Sequence, residues 1–296
     1  MTKKEEDYIK EFAQDREIIS PFLIKQKEMK KTKTNTSYLE VTLQDKTGQI
    51  KGRMFKHRPF KTYEKIEKNT VWNIVGKIQE FPTESGRFNI LIERMNPTTN
   101  YNEEDFIRKV EDYDKHVEFL FNTIETIENI HLKKLLKEFF NDEEFKNKFL
   151  TAPAAKIHHH NYKGGLLVHT NEVIKICQTI TYIYNKINYD LLITGAILHD
   201  IGKIETYDYE TENIEMKYEG IMLDHLFIGA NMIENRIKRI DAPKKLKIQL
   251  IHMILSHHGD TSLGWGSAVS PKTPEALALH HADDMSAKIT SSLENK

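Results

Sequence analysis

The stretch LLITGAILHDIGK, from Leu191 to Lys203, decides how this chain is read. A nearly unbroken apolar run, Leu191 to Leu198, reads as a helix buried on all sides. It ends in His199 and Asp200, with Gly202 and Lys203 directly behind. A buried helix that reaches the edge of its core and finishes with an imidazole beside a carboxylate is arranged for chemistry.

The rest of the chain supplies partners for that doublet. His169 stands at the front of a helix whose apolar face is Val173, Ile176, Cys177 and Ile180. His225 opens another, faced by Leu226, Ala230, Ile233 and Ile237. His257 and His258 close a third, in line with Leu246, Leu250, Met253 and Ile254. Asp283 shares the apolar side of a fourth helix with Ala276 and Leu279, and Pro274 suits that helix's first position. A single histidine on an apolar face is ordinarily a hydrogen-bonded core residue. A packed core does not otherwise take so many polar side chains at its edge, whereas a helical bundle builds a metal site in this way.

Imidazole and carboxylate ligands suit divalent cations such as Mn²⁺, Fe²⁺ or Zn²⁺; Co²⁺ is a further candidate and Mn²⁺ is favoured. Adjacent helical residues point roughly 100° apart, so His199 and Asp200 can contact two ions or bridge them. His169, His199, Asp200, His225, His257 and Asp283 are too many for one tetrahedral site with an open position. They suffice for two ions about 3.5–4 Å apart, which activate water and stabilise the charge of a phosphoryl transition state.

Ahead of this region the period changes. Tyr38–Leu43 alternates apolar and polar and stops at Asp45-Lys46-Thr47-Gly48, a turn. Gln49–Phe55 reads as the return strand, Val71–Ile78 and Phe88–Ile92 as further strands, and Tyr63-Glu64-Lys65 as a short helical stretch. This order resembles an OB-fold: a small all-β barrel in residues 1–98, after a charged helix-like lead, followed by an all-α bundle in residues 99–296. The polar stretch 96–102 is the expected linker. Residues 18–98 hold 16 Lys and Arg against 8 Asp and Glu, while residues 99–296 hold 23 against 30. A basic front module suits a polyanion and an acidic remainder suits cations. Tyr38, Phe55, Phe81 and Phe88 offer rings on which bases stack, and Lys51, Arg53, Lys56, Arg58 and Arg87 offer charge. The single cysteine, Cys177, excludes an internal disulfide framework. The start MTKKEEDYIKEF has no apolar signal core and no run reaches membrane-spanning length, so the expectation is a cytoplasmic protein without a membrane partner.

The pattern H…HD…H…H…D in a helical segment resembles the HD-domain metallophosphohydrolase superfamily. HHNYKGGLLVHT (residues 159–170), LHDIGK (198–203), EGIMLDH (219–225), ILSHHGD (254–260) and SPKTPEALALHHADDMSAK (270–288) further resemble the YhaM family of bacterial 3′–5′ exoribonucleases. In that family an OB-fold precedes the HD domain. Two departures are Asp224, where the family more often has Gly, and Phe55, where it often has Trp.

The resemblance implies metal-dependent hydrolysis of single-stranded RNA, or also single-stranded DNA, from the 3′ end. Lys203, one turn beyond the doublet, is placed to meet a non-bridging phosphate oxygen, with Lys288 a second candidate; Asp200 also serves to accept a proton from the attacking water. His258 is either a ligand or a partner of one, and His159, His160 and Tyr162 lie on the loop entering the His169 helix, where substrate would pass. Two alternatives stay open: a nucleotide or cyclic-dinucleotide phosphohydrolase, and a single-strand-binding protein without catalysis. Oligomeric state is not legible, and a homo-oligomer is compatible with everything above.

Overall fold

The computed structural model describes residues 3–56, 59–82, 84–106, 110–155, 162–208, 214–263 and 267–294. Its contacts divide the chain into two compact units, Met1–Lys109 with Glu294–Lys296, and Val110–Leu293.

In the first unit, strands β1 (Glu17–Lys31), β2 (Ser37–Asp45), β3 (Gly48–Met54), β4 (Val71–Glu80) and β5 (Phe88–Pro97) close a barrel. The order is β1-β2-β3-β5-β4, with β3 and β5 the parallel pair and helix α1 (Pro59–Lys65) between β3 and β4. This is the OB-fold barrel that the sequence implies. The β2–β3 turn forms because the Asp45 carboxylate accepts both the Thr47 amide (2.8 Å) and its hydroxyl (2.6 Å). Ile50, Gly52 and Met54 face the core, leaving Lys51 and Arg53 to the other side.

The lead is not a helix but two three-residue 3₁₀ turns, Glu5–Asp7 and Ile9–Glu11. They are tied down by Lys3, whose buried ammonium lies 3.1 Å from Asp45 Oδ2 and 3.2 Å above the Phe22 ring. Burial pulls that ammonium down to about 8, against the opposing pull of Asp45. The expected linker begins as the last residues of β5, and its Tyr101 packs with Phe106 beyond it against Leu23 and Val71 of the barrel.

The second unit is helical: α2 (Tyr113–Thr126), α3 (Ile130–Phe140), α4 (Glu143–Thr151), α5 (Gly165–Ile183), α6 (Tyr189–Leu198), α7 (Lys203–Thr206), α8 (Tyr218–Ile237), α9 (Lys244–Ser256) and α10 (Pro274–Glu294). A two-stranded hairpin pairs β6 (Tyr207–Asp208) with β7 (Glu215–Met216). Every residue from Leu191 to Leu198 of α6 is buried, and the Asn188 side chain caps its start by accepting the Leu191 amide. Phe139, Phe149, Leu166, Val173, Cys177, Ile233, Met253 and Leu279 belong to the same core. Each large side chain among them contributes roughly 1.5–3 kcal/mol by leaving water. That core fixes where α6 ends, and so where His199 and Asp200 stand.

Two local features set the approach of α8 to the doublet. At Gly202 a Cβ would collide with the His225 carbonyl and the Gly229 amide, so only glycine lets the backbones meet. At Asp224 the chain turns through φ 61, ψ 154, a region otherwise kept for glycine that costs on the order of 1–3 kcal/mol. His225 therefore opens the second of two helical segments within α8 rather than the helix itself.

Gly202→Ala should cost about 1–3 kcal/mol through overpacking, or roughly 2–4 °C of melting temperature for each kcal/mol. Thermal unfolding of the metal-free protein measures it; an unchanged midpoint would mean that α7 and α8 are not in close contact.

Candidate metal centre and nucleic-acid surface

The structure brings His169 of α5, His199 and Asp200 after α6, His225 of α8, His257 and His258 after α9, and Asp283 of α10 into one cluster. His169 Nε2 lies 3.1 Å from Asp283 Oδ1 and 3.5 Å from Asp200 Oδ2, and His199 Nε2 lies 3.3 Å from Asp200 Oδ2. The other oxygen of Asp200, Oδ1, faces His225 Nε2 at 3.4 Å and His257 Nε2 at 3.6 Å. Ligand-competent atoms thus fall into two groups, His169–His199–Asp200 and His225–His257–His258. Asp200 turns one oxygen to each.

Proton accounting shows which way each imidazole is wired. His199 Nδ1 lies 2.8 Å from the Ala196 carbonyl and His257 Nδ1 2.8 Å from that of Ile254; a carbonyl only accepts, so both Nδ1 atoms carry the proton. His169 Nδ1 meets Ser286 Oγ at 3.1 Å, and Ser286 donates its own hydrogen to Glu172 at 2.7 Å. His225 Nδ1 meets the Asp224 carboxylate at 2.7 Å. In each case the Nε2 lone pair points inward. His169 Nε2 and His199 Nε2 then face each other at 3.3 Å as two lone pairs, which repel unless a proton or cation lies between them.

This donor set fits divalent ions. Asp200 Oδ1, His225 Nε2 and His257 Nε2 are buried with no hydrogen-bond partner, a costly state that ligation relieves. The spacings above are close to the edges, about 3.0–3.4 Å, of coordination polyhedra with nitrogen or oxygen bonds of about 2.1 Å. Burial holds His169, His225 and His257 below the ordinary imidazole range, so they stay neutral and ready to ligate. For Asp200, burial works toward the neutral acid, but the charge of Lys203 prevails and keeps the carboxylate ionised. Lys203 makes that contact at 2.6 Å on Oδ2.

The remaining candidates divide. Lys288 is not brought to the cluster: it pairs with Asp284 at 2.8 Å with its side chain 74 % exposed, because it falls on the outer face of α10. Tyr162 sits in the turn before α5, its carbonyl accepting the Gly165 amide. His159, His160 and Arg58 lie outside the described residues. The sequence reading missed Glu172 and Ser286, which hold His169. Each stands three residues after a candidate ligand, His169 and Asp283, and so on the same helix face.

On the barrel, Tyr38 and Phe55 stack at 4.8 Å with 23° between their planes. Arg53, Phe55 and Phe81 line a groove of about 420 Å³ together with Asn89. Phe81 is 64 % exposed and Phe55 39 %, while Lys56 and Arg87 are exposed near them in sequence. Arg53 is held by Glu40 at 3.0 Å, and Lys51 donates to the Thr42 hydroxyl. Phe88 is no platform; it packs against the barrel core from the inward side of β5.

Residues 166–288 match the HD domain and residues 24–98 the OB-fold nucleic acid binding domain. Over 284 residues the chain is 28% identical to the 3′-5′ exoribonuclease YhaM of Shouchella clausii (strain KSM-K16), covering 92% of this chain and 84% of the relative. The resemblance to the YhaM family thus holds along nearly the whole chain. Among solved structures, the second OB-fold domain of replication protein A from Methanococcus maripaludis is 16% identical with a TM-score of 0.25, covering 35% of this chain and 100% of that one. A replication protein A heterotrimer bound to ssDNA is 17% identical with a TM-score of 0.22, over 36% of this chain and 65% of that one. Among the described residues no helix is long and apolar enough to cross a membrane.

Mn²⁺ at one hundred times its dissociation constant should stabilise the demetallated protein by about 2.7 kcal/mol. Asp200→Asn, which removes the charge shared by both ligand groups, should abolish most of that shift. Equal Mn²⁺-induced shifts in melting temperature for the two proteins would show that Asp200 is not a ligand.

Proposed function

We propose that this protein, an OB-fold barrel joined to an HD domain, is a metal-dependent phosphodiesterase that removes nucleotides one at a time from the 3′ end of single-stranded RNA, with single-stranded DNA as a second substrate. The observation that carries the reading is the Asp200 carboxylate with a different histidine group facing each of its oxygens. The HD domain and the named relative support a hydrolase, and the relative's name supports the polarity and the RNA substrate.

Two divalent ions, Mn²⁺ before Fe²⁺, Co²⁺ or Zn²⁺, would supply Lewis-acid stabilisation of the phosphoryl charge and a water of lowered pKa. His169, His199 and Asp283 would hold one, His225, His257 and His258 the other, and Asp200 both. Lys203 is fixed at the centre by Asp200, where its ammonium serves as a point charge for a non-bridging phosphate oxygen. Asp200, ionised and buried, also serves to take a proton from the attacking water.

The recess of the cluster favours a chain end. His169, His199, Asp200 and His257 are each at most 1 % exposed, so the scissile phosphate must come in to them. A duplex is far wider than one strand and would have to unpair to bring its end phosphate in. The barrel supplies the grip: Tyr38, Phe55 and Phe81 stack on unpaired bases and Arg53, Lys56 and Arg87 neutralise phosphates. A hydrolase of mononucleotides or cyclic dinucleotides has no use for that second surface, which ranks those activities lower.

Digestion of two end-labelled hairpins, one with a 3′ tail and one with a 5′ tail, tests the reading. The 3′ tail should shorten stepwise and stall near the stem, with the 5′-tailed hairpin spared and a 3′ block protective. Internal cuts, or faster trimming of the 5′-tailed hairpin, would rule out the exonuclease. Phe55→Ala and Phe81→Ala should each weaken the hold on a long strand by about 1–3 kcal/mol while sparing turnover of a dinucleotide; tight strand binding in the double variant would remove the barrel from the account.

A further inference from the structure

Asp224 sits where nothing about helix formation asks for it. Its backbone lies at φ 61, ψ 154, a conformation that a glycine adopts freely and an aspartate does not. Its side chain is 55 % exposed and its Oδ1 lies 2.7 Å from His225 Nδ1. The same oxygen accepts the Leu226 amide at 3.0 Å and so caps the second segment of α8. Capping alone does not account for the residue, since Asn or Ser caps a helix about as well.

The imidazoles of this cluster differ in what holds them. His199 and His257 give their Nδ1 protons to backbone carbonyls three residues back on their own helices, and His169 gives its proton to a serine hydroxyl. Those acceptors are neutral. His225 instead meets a carboxylate at that atom. Its opposite nitrogen, Nε2, is buried, has no hydrogen-bond partner and faces Asp200 Oδ1 at 3.4 Å. Carboxylate, imidazole and inward lone pair therefore stand in series, an arrangement that fixes the tautomer and orientation of a ligating histidine and raises its basicity.

We infer that Asp224 is a positioning residue for the ion held by His225, His257 and His258, and that it makes this position the tighter-binding of the two by strengthening His225 as a ligand. The inference rests on the dinuclear reading given above. Asp224 touches neither substrate nor ion; it acts through His225, and the strained backbone is the cost of placing a carboxylate there.

The test is calorimetric titration of the full-length, demetallated protein with Mn²⁺, for wild type, Asp224→Asn and Asp224→Gly, with the melting temperature of each metal-free protein. Wild type should take up two ions with distinct affinities. Asp224→Gly, which removes the acceptor, the charge and the strain together, should lose about 10–100-fold in affinity at the tighter position, leave the other unchanged, and melt no lower than wild type when metal-free. Asp224→Asn keeps the cap and the acceptor oxygen without the charge, so it should fall between the two at the same position. Equal titrations for wild type and Asp224→Gly would overturn the inference. So would weakening of both ions together with a lowered metal-free melting temperature, which is the signature of a purely structural cap. If wild type itself takes up no stoichiometric Mn²⁺, the dinuclear reading has failed and the inference with it, a result visible before any variant is compared.

Discussion

A buried carboxylate controls the helical unit. Asp200 is 1 % exposed, and taking its charge out of water is tolerable only where opposite charge and hydrogen-bond donors surround it. Lys203 answers one oxygen directly. The histidines answer only in part, because their Nδ1 atoms hold the protons and their Nε2 lone pairs face the carboxylate. An arrangement of lone pairs around an anion is a poor protein core and a good cation site. Helices α5, α6, α8, α9 and α10 all terminate, kink or turn a polar face at this point. Their common core is the frame that holds the frustrated cluster in place.

The two units differ in charge. The barrel segment carries the surplus of Lys and Arg and presents Phe55 and Phe81 to solvent on a groove also lined by Arg53, while the helical segment carries the acidic excess. Phosphate contacts give affinity without regard to sequence, and on the proposed function the buried cluster would need only to act on whichever phosphate reaches it.

Much of this was legible from residue order because the determinants are local. The buried run 191–198 specifies α6, and the Asp45–Gly48 turn specifies the β2–β3 hairpin. The clustered histidines and aspartates could be read because each polar residue interrupts an apolar face at helical spacing. What escaped the sequence depends on contacts distant in the chain. Glu172 reaches His169 through Ser286, more than a hundred residues away. Strand β1 was hidden because Lys25, Gln26, Lys27, Glu28, Lys30 and Lys31 leave its second half with no apolar alternation. The charged lead resembled a helix, but Lys3 and Asp45 pin it in short 3₁₀ turns instead. Lys288 has the right charge and lies one helical turn from Asp284, which claims it, on the wrong face of α10.

On the proposed function the two oxygens of Asp200 would serve two ions at once. Electron paramagnetic resonance of the Mn²⁺-saturated protein addresses it directly. Ions about 3.5–4 Å apart and joined by a carboxylate are magnetically coupled, so the expected result is an exchange-coupled Mn²⁺ pair whose signal disappears in Asp200→Asn. A saturated protein that shows only the six-line spectrum of isolated Mn²⁺ would contradict it.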